Sequence, residues 1–87
     1  KDFGRAVDCF TSALQDFPQH IGLRLNLVQA LMGHFKQEPD KAPLLTAMHQ
    51  TMDYMRKIIP DNHAQFRRFR QLEELLRAIT ASAKSAN

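Results

Sequence analysis

Two prolines, 42 positions apart, close the same apolar pattern twice. Ala6, Phe10 and Ala13 lead to Pro18 in steps of four, three and five residues, and Met48, Met52 and Met55 lead to Pro60 in the same steps. Steps of three and four keep side chains on one face of an α-helix. The residue before a proline is pushed out of the helical region, so each helix is stopped at an equivalent place. The same offset pairs Phe17 with Ile59 and Leu27 with Phe69. The expected unit is a helical hairpin, used twice.

The remaining apolar residues complete four helices. Phe3, Ala6, Val7, Phe10, Ala13, Leu14 and Phe17 draw the first stripe. Ile21, Leu25, Leu27, Val28, Leu31, Met32 and Phe35 follow, apolar on more than one side, which predicts the most buried helix. Gly33 within it costs about 1 kcal/mol against alanine, a cost that a close helix neighbour would explain. Gln37 to Lys41, with Pro39, reads as a loop, and Asp40 as the cap of a third helix that tolerates Pro43 in its first turn. That helix carries Leu45, Met48, Met52, Met55 and Ile59. Asp61 or Asn62 is the expected cap of a fourth, with Phe66, Phe69, Leu72, Leu76 and Ile79 on one face. Only ten residues are Val, Ile or Thr, few for a β-protein. The reading is one all-α domain over residues 1–80, four antiparallel helices as stacked hairpins, with a flexible tail at 81–87.

Bulk properties narrow the class. Six Phe and four Met in 87 residues supply a core and argue against disorder. A lone cysteine, Cys9, forbids an internal disulfide and any cysteine-based zinc site, so a reducing cytoplasm is the expected setting. No apolar run is long enough to span a membrane, and no export leader opens the chain. The chain enters helical pattern directly after Lys1, as a fragment of a longer protein would. The net charge of +3 is uneven: residues 1–53 hold five Lys or Arg against six Asp or Glu, residues 54–87 seven against three. A basic half suits an anionic partner such as nucleic acid, a membrane or an acidic peptide, and more often it is simply a solvated surface.

No constellation for catalysis or metal binding emerges. His20, His34, His49 and His63 are separated by 14, 15 and 14 residues, never by the three or four that let two imidazoles share an ion from one helix. His20 and His63 each follow a helix-ending proline, which suits turns and helix starts. Asp8 and Cys9 are adjacent and point about 100° apart on a helix. Glu73 and Glu74 read as solvated partners of Arg70 and Arg77. Met48, Met52 and Met55 have the spacing of a core stripe, although methionine ridges also make adaptable binding surfaces. Arg67, Arg68 and Arg70 alternate with Phe66 and Phe69 as in nucleic-acid binders, but on a helix the rings and the guanidinium groups fall on different faces. No enzyme, metal or cofactor is expected.

The spacing of Ala6, Phe10, Ala13 and Pro18 resembles the second helix of a tetratricopeptide repeat. In that register Leu27 and Leu31 fall where the next repeat has Leu and Tyr. Arg24 and Val28 replace its Trp and its Gly or Ala, and the three methionines replace Ala, Phe and Ala. The offset exceeds that family's 34-residue repeat by about eight residues, placed in the loop around Gln37 to Lys41. The segment Leu25 to Leu31, followed by the Arg-rich last helix, is similar to the C-terminal helical region of bacterial response regulators that carry such repeats. The resemblance implies a protein-interaction module within two-component signalling. Its groove would take a peptide or partner helix, with Asn26, Gln29 and Met32 on the second helix and Arg67 and Gln71 on the fourth as lining. The expected partner is an acidic protein or peptide. Homodimerisation of the parent protein is the alternative, and nucleic-acid binding through the basic last helix a second one.

Overall fold

The computed structural model describes residues 2–37 and 42–85. They form α1 (Phe3–Asp16), α2 (Ile21–Phe35), α3 (Ala42–Ile58) and α4 (Phe66–Ser85), with no strand among the described residues. The fold is all-α. Pro39 and the expected Asp40 cap lie outside the described residues, as do residues 86 and 87 at the end of the expected tail.

Local chemistry sets the ends of the helices. The Asp2 carboxylate accepts the Arg5 N–H at 2.9 Å and starts α1. The Phe17 N–H still reaches the Ala13 carbonyl at 3.1 Å, after which Pro18 has no N–H with which to continue. In the short turn that follows, the His20 N–H binds the Phe17 carbonyl at 3.1 Å. The His20 ring then accepts the Leu23 N–H, also at 3.1 Å, and caps α2.

α2 is the centre of the molecule. Eight of its 15 residues are buried, as its many-sided apolar pattern predicts, and it touches all three other helices. Gly33 lies where α1 crosses: a Cβ at this position would stand 2.4 Å from the Phe3 ring. The missing side chain makes room for an aromatic ring, which is the close neighbour its sequence position calls for.

Met48, Met52 and Met55 of α3 are fully buried, so these three side chains fill the core instead of presenting a binding ridge. They join Leu25, Val28 and Leu31 from α2 and Phe69, Leu72 and Leu76 from α4 in one cluster, with Leu14 as the buried contribution of α1.

The start of α4 departs from expectation. Asp61 and Asn62 are not its cap: both lie in a turn closed by the His63 N–H on the Pro60 carbonyl at 3.0 Å. The next turn is set by His63, whose ring accepts the Gln65 N–H and whose carbonyl accepts that of Phe66, each at 3.0 Å. Turn closure by the chain itself thus displaces the acidic cap by a full turn. The other end departs too, because residues 81–85 of the expected flexible tail are helical. Thr80 donates its hydroxyl to the Leu76 carbonyl at 2.8 Å within an unbroken helix, and Ala83 leans on the core.

Candidate partner-binding surface

The surface implied by the second and fourth helices is tied together by a residue the sequence reading did not choose. On α4, Phe69 is buried, and the residue before it is turned about 100° around the helix, onto the flank that faces α2. That residue is Arg68. Its terminal Nη2 donates to Asn26 Oδ1 at 2.8 Å and to Gln29 Oε1, both on α2. The two hydrogens of Nη2 are thereby used, and the Nε and Nη1 donors are left over. No carboxylate among the described residues pairs with this guanidinium.

Of the five expected lining residues, Asn26 and Gln29 are therefore brought together, by Arg68. Arg67 and Gln71 lie exposed on α4, with no hydrogen bond or ion pair to any described residue. Met32 is a correction. It is only 8% exposed and belongs to the core cluster, so it offers a partner almost no surface. Burial claims it because α2 has neighbours on three sides, which leaves a narrow outward strip. Arg68 had a sequence signal that went unused: it stands 42 residues after Asn26, the same offset that relates Leu27 to Phe69.

On its opposite flank α4 is tied to α3. Arg56 donates Nε to Glu73 Oε2 at 2.8 Å, with Nη2 2.7 Å from the same oxygen, and its Nη1 reaches Asp53. Glu73 also lies 3.5 Å from the Nε of Arg70. The hydrogen bond to Glu73, then that to Asp53, holds the Arg56 guanidinium more firmly protonated than usual. Glu73 is accordingly not a solvated residue complementing Arg70 alone, but the acceptor that joins two helices. Half of Arg56 faces solvent, so Glu73→Gln should cost only about 1 kcal/mol or less, and added salt should shrink that difference in urea titrations.

Further along this seam, His49 Nε2 lies 2.9 Å from Thr80 Oγ1. The Thr80 hydroxyl proton is committed to the Leu76 carbonyl, so His49 Nε2 is the donor and Thr80 the acceptor. A hydroxyl held this way is not poised as a nucleophile. The cleft around it, about 330 Å³, is lined by His49, Arg56, Glu73, Leu76, Arg77, Thr80 and Ala81.

Other features of the sequence resolve into structure. Arg24 sits 3.9 Å above the centre of the Tyr54 ring and donates Nε to the Pro18 carbonyl at 2.8 Å, which binds the first turn to α2 and α3. Phe66 packs against the buried Phe69 with ring centres 6.0 Å apart, so these rings are spent on packing and not offered to nucleic-acid bases. Cys9 is exposed on α1. Among the described residues, no three His, Cys, Asp or Glu lie close enough to hold a metal ion, and no helix is long and apolar enough to cross a membrane. Comparison of the chain with known protein families, curated proteins and solved structures finds no match.

Proposed function

We propose that this chain is a protein-interaction module that captures an acidic peptide or partner helix along the surface shared by α2 and α4. The observation that carries the reading is the Arg68 guanidinium, held by two amide oxygens of α2 and left without a carboxylate among the described residues. Amide oxygens orient a guanidinium without neutralising it, so its charge and remaining donors stay available to a carboxylate. Arg67 stands beside it in the first turn of α4, a turn with no acidic residue. Positive side chains at the positive end of a helix dipole repel, and an incoming anion relieves that repulsion.

The order of the helices, with α4 resting on both α2 and α3, supports the stacked-hairpin, tetratricopeptide-like arrangement. In that arrangement α2 and α4 are the first helices of successive units. Placement within a two-component signalling regulator is the narrower form of the same proposal. A short surface of this kind suits micromolar affinity.

Arg67 is exposed and makes no hydrogen bond or ion pair to any described residue, so Arg67→Glu tests the site while sparing the fold. Peptides selected from a displayed library against the wild-type chain should be rich in Asp and Glu. Their binding, read by fluorescence anisotropy, should weaken about tenfold with Arg67→Glu and fall with rising salt. Selection of neutral peptides, or titrations identical for both proteins, would refute the assignment. Exposed Leu75 on α4 keeps homodimerisation a distinct outcome, and sedimentation at the concentrations used separates it from peptide capture.

A further inference from the structure

We infer, on the reading of this surface as an acidic-partner site, that the partner is an acidic amphipathic α-helix laid along α4. One of its carboxylates meets Arg68, and an apolar side chain almost two turns away covers Leu75. Phe17 and Leu75 are the large apolar side chains left exposed among the described residues. A single exposed leucine is ordinary. Leu75 differs by its place, because it follows Arg68 by seven residues. On an α-helix that separation is about 20° around the axis and about 10.5 Å along it. Exposed Gln71 lies between the two, and exposed Ala78 and half-buried Ile79 extend the apolar end. One strip of α4 thus carries a charge at one end and an apolar patch at the other.

Charge decides what covers this strip. Arg68 is held by the amide oxygens of Asn26 and Gln29 and pairs with no carboxylate among the described residues. The two carboxylates of α4 are turned elsewhere: Glu73 reaches Arg56 and Arg70, and Glu74 stands about 100° around the helix from Leu75. A second copy of the chain brings the same net charge of +3, whereas an acidic partner brings the opposite one. Spacing then decides the partner's form. An α-helix repeats one face every seven residues, at the same distance of about 10.5 Å. An extended strand repeats its face at about 7 and 14 Å, so it misses one anchor or the other by about 3 Å.

The test uses three synthetic alanine-rich peptides of about 20 residues, long enough to be helical. The first has a central Glu, a second Glu four residues on, and Leu seven residues to either side of the centre. The second has both Leu moved by two positions, about 200° around the helix. In the third, a proline beside the central Glu breaks the helix. By fluorescence anisotropy, the wild-type chain should bind the first peptide about tenfold more tightly than the other two. Leu75→Ala removes the apolar anchor and keeps a strong helix former. It should bring the first peptide down to the level of the second and leave the second unchanged, whereas Arg67→Glu should weaken all three. If aligned and shifted peptides bind equally while Arg67→Glu still weakens them, the paired anchors are wrong and the acidic site stands. Equal binding of the aligned and proline-broken peptides overturns the helical form in the same way. Indifference of all three to Arg67→Glu overturns the site and this inference together. A wild-type chain that sediments as a dimer, and as a monomer with Leu75→Ala, gives the strip to a second copy and also overturns it.

Discussion

Met52→Ala should lower the stability of this domain by about 3 kcal/mol, a large share of what a chain of this size possesses. Met52 is fully buried in the cluster that joins α2, α3 and α4, so its truncation leaves a cavity among Leu, Val and Phe side chains that can close in only partly. Met52→Leu, which nearly keeps the volume, should cost less than about 1.5 kcal/mol. The contrast identifies a core position. A binding ridge would behave otherwise, with truncation changing the urea midpoint little and affinity much. If Met52→Ala shifts stability by less than about 0.5 kcal/mol, the side chain is at a surface and the packing described above is wrong.

The second large effect is a reversal of sign at Gly33. Helix propensity alone favours alanine there by about 1 kcal/mol. The new methyl, however, would stand 2.4 Å from the Phe3 ring, closer than any real contact. Displacing that ring costs about 1–3 kcal/mol, so Gly33→Ala should destabilise by about 1 kcal/mol on balance. In a Phe3→Ala background the space is open, and the same substitution should stabilise by up to about 1 kcal/mol. The two backgrounds therefore differ by about 2 kcal/mol in the effect of one methyl group, well above the additivity expected of independent sites. Stabilisation of equal size in both would remove the α1–α2 crossing proposed for this glycine.

These two positions also show what the sequence makes legible. Periodicity marks Met48, Met52 and Met55 as one face of a helix, and their burial follows because a face that apolar has to be covered. Gly33 inside a helix signals a close approach, although the identity of the neighbour, Phe3, depends on how α1 crosses α2. The start of α4 was less legible. Propensity favours Asp61 or Asn62 as a cap, but closure of the turn on the Pro60 carbonyl and the His63 ring takes precedence, and nothing in residue type alone decides that competition. The far end was misread for a similar reason. A segment of Ala, Ser and Lys has the composition of a loose tail, yet alanine extends a helix readily once the preceding turns, from Phe66 to Ile79, are anchored on a core.

The candidate surface was half legible. Asn26 and Gln29 are, with Arg24 and His34, the polar positions of a mainly apolar helix, and the structure brings both amides to Arg68. Met32 could not be separated from them, because α2 is apolar on several sides and periodicity does not show which strip stays uncovered. The choice of Arg67 over Arg68 turned on which flank of α4 faces α2, a property of packing that a single helix does not encode. Arg68 now reads as the anchor of the surface, and Arg67 as its free outer charge.

The most direct test is a map of where the partner sits. Backbone amide shifts should be followed as an acidic peptide, selected against the wild-type chain, is titrated into labelled protein. The account predicts that the perturbed amides gather at Asn26, Gln29, Arg67, Arg68 and Gln71, with the side-chain Nε of Arg68 among the signals that move. Perturbations gathered instead along the α3–α4 seam at His49, Arg56 and Thr80, with the α2–α4 surface silent, would contradict it.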